Sequence, residues 1–193
     1  MSEPTPTTEA PPALVTPEAF SAALGGRVSA NDPRVPPLLD GATRAVRRYC
    51  GWHVAPEWRT TLTLDGPGGW LLALPTLRLA DVHELTFEDQ PMTLSDVEWS
   101  HNGEVRRLDA SWGYGYRVIT ADVTHGYTLA ADLAAVVVQV VANALASPLG
   151  ATREQAGAMS VQWATTAPGV SGGLSLLQRD LALLNSYRLP GVL

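Results

Sequence analysis

A single cysteine, Cys50, stands among 193 residues, so the chain cannot hold an intrachain disulfide framework and suits a reducing compartment. Metal chemistry has little to work with. His53, His83, His101 and His125 are far apart in sequence, and none sits in a metal-ligand spacing. Cys50 and His53 are close enough to share a ligand set, but no further ligand completes it; nor does any histidine single itself out as the base for a Cys50 nucleophile. Gly66-Pro67-Gly68-Gly69 lacks the following lysine and helix of a phosphate loop, and its proline removes one N–H donor, so it reads as a hairpin turn. The carboxylates Asp65, Asp81, Glu84, Glu88, Asp89, Asp96 and Glu98 are scattered over turns and strand edges, with no pair suited to general acid–base work. Positive charge is in deficit: the formal net charge of −6 argues against nucleic-acid binding through a general basic surface. The first residues carry Glu3 and Glu9 and no apolar stretch of a secretory leader. No internal repeat is present. No catalytic site, cofactor or metal is expected.

What the chain does have is one long apolar stretch, Thr128 to Ser147, without glycine or proline and with a single charge, Asp132. About twenty residues are too many for a common strand, so the valine run within it is assigned to a helix. Thr128 is placed to cap the start, an acid in the first turn suits the helix dipole, and Ser147-Pro148 is a stop. Asp132, Gln139 and Asn143, spaced by seven and four, fall on one stripe, and the other faces are alanine, valine and leucine. Such a helix is expected to be buried nearly all round, as a central post covered by other helices and by a neighbouring subunit. The stretch is too short and Ala-rich, and lacks the basic flanks, for a membrane span.

Ahead of this post, residues 1–13 are rich in proline, threonine and glutamate and are expected to be disordered. Thr16-Pro17-Glu18 starts a short helix that ends at Gly25-Gly26. Asn31-Asp32-Pro33 starts another, with Val35, Leu38, Leu39, Ala42, Ala45, Val46 and Tyr49 on one face. Arg44, Arg47 and Arg48 lie opposite, as a solvated face offsetting the helix dipole or as phosphate contacts, and Gly51 closes the helix.

From Arg59 the period changes to two. Thr60–Leu64 and Trp70–Leu74 flank the 65–69 turn, Leu77–Phe87 continues as strand, and Tyr116–Thr124 is a further strand. Val97-Glu98-Trp99 and Val105–Leu108 flank His101-Asn102-Gly103, a strong hairpin signal. Trp112-Gly113-Tyr114-Gly115-Tyr116 has the composition either of a platform for bases or sugars or of a loop covering one end of the sheet. Beyond the post a short strand is expected at Met159–Trp163, then an amphipathic helix over Leu174–Tyr187 with Leu174, Leu177, Leu181 and Leu184 on one side.

The order of these pieces resembles the head-to-tail adaptor (connector) proteins of long-tailed, siphovirus-type bacteriophages, especially those infecting actinobacteria. The resemblance runs from about Leu14 to Leu193. It rests on the helix pair ending in Tyr49-Cys50-Gly51-Trp52-His53-Val54-Ala55-Pro56, the stretch Leu62–Gly69, Leu74-Pro75-Thr76-Leu77-Arg78-Leu79, the pair Glu98-Trp99 and Val105-Arg106-Arg107, the entry Val123-Thr124-His125-Gly126-Tyr127 into the apolar helix, and the closing Tyr187-Arg188-Leu189-Pro190. The resemblance implies a twelve-fold ring beneath the capsid portal, joined on its far side to a stopper or tail-completion protein. DNA would pass through the lumen without sequence-specific binding. The location implied is the virion's head–tail interface, after assembly in the host cytoplasm.

The expected fold is therefore α+β: a small α-helical bundle, 14–58 and 128–193, with an inserted antiparallel β module, 59–127. Asp132, Gln139 and Asn143 are expected to face the lumen or a neighbouring subunit. Tyr187, Arg188, Leu189, Pro190, Val192 and Leu193 form an apolar ending that either folds back on its own bundle or docks on the portal, where Arg188 would offer a carboxylate-pairing fork and Tyr187 an anchor. Two other functions suit the same features: a stopper or tail-completion protein, and a small carbohydrate-binding module or hydrolase using the Trp112–Tyr116 loop.

Overall fold

The computed structural model describes residues 10–146, 153–156, 159–162, 174 and 176–191, those between 153 and 162 by backbone alone. The fold is α+β, with helices near both ends of the sequence and antiparallel sheets between them.

Helix α1, Pro17–Ala23, starts where a capping threonine followed by proline places it: Thr16 Oγ1 accepts the Ala19 N–H at 3.2 Å. Helix α2, Val35–Cys50, carries Pro36 and Pro37 in its first turn, where their missing N–H groups have no intrahelical acceptor. Asp32 shapes the entry by accepting the Arg34 N–H at 3.0 Å and pairing with its guanidinium at 2.7 Å. Those bonds from Arg34 lower the Asp32 carboxyl to about 2. Gly51 ends α2 in the left-handed region, its N–H on the Arg47 carbonyl at 2.8 Å. Residues 10–13, read from composition as part of a loose tail, lie along α2: Arg47 donates to the carbonyls of Pro11 and Pro12.

Helix α3, Ala131–Ala146, begins two residues later than the capping reading placed it. The Thr128 hydroxyl instead donates to Glu57 at 3.4 Å, and Asp132 accepts the N–H of Leu133 at 2.9 Å. Within the chain α3 is buried on one side, through Leu133, Val136, Val137, Val140, Val141 and Ala144, while Ala131, Ala135, Gln139 and Ala146 are exposed. It packs on α2, closing a core with Phe20, Val35, Leu39, Val46 and Leu184. The last helix, α4, is shorter than its leucine spacing suggested: Gln178–Leu184, followed by a 3-10 turn over Asn185–Tyr187. Its start is held by Asp180, which accepts the Leu177 N–H at 2.9 Å.

Between α2 and α3 lie seven strands: β1 Trp58–Pro67, β2 Leu71–Ala73, β3 Leu79–Phe87, β4 Gln90–Pro91, β5 Val97–Trp99, β6 Glu104–Arg107 and β7 Tyr114–His125. They form two sheets, ordered β1-β7-β3-β4 and β2-β6-β5. The Asn-Gly signal is met by the β5–β6 hairpin, with Trp99 opposite Val105. The glycine-rich 65–69 turn is not a hairpin. The strands on either side of it enter different sheets, β1 pairing with β7 and β2 with β6. Local turn residues specify that the chain bends, and partners elsewhere decide what each arm pairs with. A second core, with Leu72, Leu79, Leu85, Val105, Trp112, Ile119 and Val123, fills the space between these sheets. After α3, β8 Arg153–Ala156 and β9 Met159–Gln162 form a two-stranded ladder, the latter close to the strand expected at 159–163.

Candidate interaction surfaces

The C-terminal segment is tied to the end of α2. Trp52 Nε1 donates to the Tyr187 carbonyl at 2.7 Å, and the Leu189 N–H donates to the Cys50 carbonyl at 2.9 Å. The Tyr187 ring meets Tyr127 edge-on at 5.4 Å, and its hydroxyl donates to Asp132 at 2.8 Å. Burial, then the bond to Asp132, raises that phenol to about 12. Asp132, one of the three polar positions on α3, is thus joined to the first residue of the apolar ending, a link across 55 positions that helical spacing alone does not reveal. Gln139 donates to Asn143 at 2.9 Å on an exposed stretch of the same helix. Pro190 is exposed; Val192 and Leu193 lie outside the described residues.

Beside this ending, a cavity of about 600 Å³ opens between α2 and the C-terminal segment. Gly41, Ala45, Tyr49 and Leu176 supply apolar lining, and Arg44, Arg48 and Arg188 supply charge. Arg188 lies over the Tyr49 ring, 5.3 Å from its centroid, and the Tyr49 hydroxyl donates to Asn185 at 2.6 Å. Arg44 pairs with Asp40 at 2.7 Å, both side chains being well exposed. The chain has no lysine, so every fixed side-chain positive charge is a planar guanidinium, suited to carboxylates and to aromatic faces.

Arg47 differs from its neighbours. It is half-buried, and besides Pro11 and Pro12 it donates to the carbonyls of His53 at 2.9 Å and Ala55 at 2.8 Å. It clamps the N-terminal segment and the chain leaving α2 onto one another rather than offsetting the helix dipole in solvent. Burial lowers its pKa.

The bundle and the β module meet at an aromatic seam. His53 and His125, 7% and 3% exposed, have ring centroids 4.2 Å apart, with Trp52, Trp58 and Tyr127 around them. His53 Nε2 lies 2.9 Å from the Pro56 carbonyl, while His53 Nδ1 and both His125 nitrogens have no hydrogen-bond partner. Burial is the main cause that brings the two imidazoles down, to about 4 and about 3, so both are neutral at pH 7. Gly126, at φ 114°, is required here: a Cβ would stand 2.6 Å from His53 Nε2. Cys50 is buried on the bundle side with its sulfur 4.0 Å from the Leu184 carbonyl, and burial raises the thiol to about 11, unlike a nucleophile. Cys50 and His53 do not form a ligand set, and among the described residues no group of three or more His, Cys, Asp or Glu could hold a metal. No described helix is long and apolar enough to cross a membrane.

The far end of the module carries the aromatic loop, and the structure divides it. Trp112 is fully buried, its Nε1 3.3 Å from the Val105 carbonyl and its ring edge-on to Phe87 and beneath Arg107. It closes the end of the second core. Tyr114 and Tyr116 are 85% and 89% exposed, and nearby Trp70 is 54% exposed. The Tyr114 ring lies so close over Gly68 that a Cβ there would stand 2.1 Å from it. A stacking platform built on Trp112 is therefore excluded, but one built on the tyrosines is not.

No family model matches the chain, and neither does any curated protein. Its fold is similar to solved structures. A chain in the neck of a native gene transfer agent (GTA) particle, computed with C12 symmetry, is 20% identical with a TM-score of 0.56, over 98% of this chain and 96% of that one. A chain in the neck of the empty particle, computed with C6 symmetry, is 20% identical at TM-score 0.59 over the same shares. One in the virion of the native particle is 17% identical at 0.58, over 97% and 98%. Helices and sheets together thus follow an architecture found in chains of GTA particles and their necks.

Proposed function

We propose that this chain is a structural virion protein of a phage-like particle, a head-to-tail adaptor that forms a ring between the capsid portal and the stopper or tail-completion protein. The observation that carries the reading is the fold likeness over nearly the whole chain to proteins of symmetric necks. It is supported by an α3 with an exposed strip of alanines, which a neighbouring copy can cover. The net charge of −6 suits a tube through which DNA slides without sticking. A twelve-membered ring is the expected form. The protein acts by assembly, with no enzymatic step, and is located in the virion after assembly in the host cytoplasm. A siphovirus-type particle infecting an actinobacterium is the setting the sequence motifs favour.

The portal contact is assigned to the C-terminal ending. Tyr187 and Leu189 are partly held by their own bundle and Arg188 lies over Tyr49, which leaves Pro190 and the final Val192-Leu193 to be offered to the portal. Gln139 and Asn143 face the lumen or the next subunit, with Asp132 on the same stripe held by Tyr187 of its own chain. The test is reconstitution with purified portal rings, imaged by electron microscopy. An added ring of density on the portal's tail-side face is expected. Binding to the tail side of an already capped portal, and not to bare portal, would make the chain a stopper instead.

A further inference from the structure

The arginine-rimmed groove and the tyrosine tip lie on different parts of the molecule, and each has what the other lacks. The groove joins an apolar floor, Ala45 and Leu176 with the Tyr49 ring, to guanidinium groups from Arg44 and Arg48 on α2 and from Arg188. Arg44 and Asp40 are both well exposed, and such a solvated pair is weak enough for Arg44 to take another partner. An apolar floor gives nothing to a phosphate backbone, and the acidic chain repels one, so the groove favours a protein ligand with apolar surface and negative surroundings.

The tip answers that description. Residues 59–127 contain ten carboxylate side chains against five arginines. Out of this acidic module project Trp70, half exposed, and Tyr114 and Tyr116, both almost wholly exposed. Tyr114 is braced with one face against Gly68, so it is presented at little further entropic cost. Exposed tyrosine and tryptophan are the residues that anchor protein contacts, and guanidinium groups stack on their faces.

We propose that the aromatic tip of one copy, Trp70, Tyr114 and Tyr116, seats in the arginine-rimmed groove of a second copy. Knob and groove belong to different surfaces, so the contact is heterologous. Each copy gives one and receives one, and repetition closes into a ring if the rotation allows. The inference rests on the ring reading above and names the surfaces that would build it.

The test uses the full chain with two exposed double substitutions: Arg44→Glu with Arg48→Glu spoils the groove, and Tyr114→Ser with Tyr116→Ser spoils the knob. Analytical ultracentrifugation over a concentration series, with cross-linking, reads assembly; thermal melting confirms folding. Wild type should assemble beyond a dimer. Each variant alone should self-associate more than about tenfold more weakly. Their equimolar mixture should stop at a one-to-one dimer, because only one intact knob and one intact groove remain in each pair. If a double substitution lowers the melting temperature, Arg48→Gln and Tyr116→Ser as single changes take its place. A wild-type ring with either variant assembling normally, or a mixture that forms no dimer, overturns the proposed contact alone. A wild type that stays monomeric throughout overturns the ring reading and this contact with it. Normal assembly by the groove variant, with lost retention on a DNA column, would reassign the groove to nucleic acid.

Discussion

At the scale of single residues, His53 and His125 are held where neither is readily charged. Their folded pKa values, about 4 and about 3, lie below the ordinary histidine value near 6.5. Below pH 6.5 the unfolded chain therefore takes up protons that the folded chain refuses. The stability they contribute is whole above pH 6.5 and declines as pH falls towards 4 and then 3. Melting measured from pH 7.5 to 4.5 should show a loss on the order of 5 kcal/mol, and His125→Phe should flatten that slope. Arg47 makes a second residue-scale prediction. Arg47→Ala leaves the His53 and Ala55 carbonyls and those of Pro11 and Pro12 without their donor, and should cost about 2–3 kcal/mol in a denaturant titration. Arg47→Lys should restore only part of this, because an ammonium cannot reproduce the planar fork.

At the scale of elements, the C-terminal segment behaves as part of the bundle for as far as it is described. Truncation after Ser186 removes the Tyr187 carbonyl from Trp52 Nε1 and the Leu189 N–H from the Cys50 carbonyl. Differential scanning calorimetry should show a lower melting temperature, by the equivalent of about 1–3 kcal/mol, independently of any portal. The helices were legible because their signals are local: Thr16 and Pro17 fix the start of α1, Gly51 the end of α2, and apolar spacing the buried face of α2, whereas α3, apolar on nearly every side, did not show which side its own chain would cover. Strand positions were legible from the two-residue period. Strand partners were not, because β1 finds β7 some fifty residues on, and nothing near Gly66–Gly69 records that choice. The interaction surfaces were legible only in part. Arg44 and Arg188 were singled out separately, but their shared groove depends on α2 meeting a segment about 140 positions later. The histidine pair stayed hidden for the same reason: His53 and His125 are distant in sequence and have no ligand spacing to connect them.

For the whole molecule, the two apolar cores predict two degrees of independence. One lies among the helices, the other between the sheets, and the seam around Trp52, His53 and His125 joins them. Replacing residues 60–123 by a short linker should leave a soluble protein with helical circular dichroism, since the bundle core keeps Phe20, Val35, Val46, Leu133, Val137 and Leu184. It should melt lower than the full chain, because His125 loses the strand that positions it. A remnant without helical signal would mean that the bundle cannot form without the sheets.

Strand β7 also gives the molecule a mechanical direction. It runs from the tyrosine tip to His125, interrupted by a bulge at residues 116–118 where Arg117 has a φ of 58°, with β1 on one side over most of that length and β3 on the other from Ile119 onwards. A pull along it loads both ladders in shear, so many bonds share the strain and none is peeled open alone. At the bundle end the path narrows to two backbone bonds, Gly126 N–H to Arg78 and Tyr127 N–H to Val54, each 2.8 Å. Force applied at the tip should therefore leave the module whole and be spent at residues 126–130, between the end of β7 and the start of α3. The longest described strand of the protein thus acts as a lever arm, with its pivot beside the buried histidines.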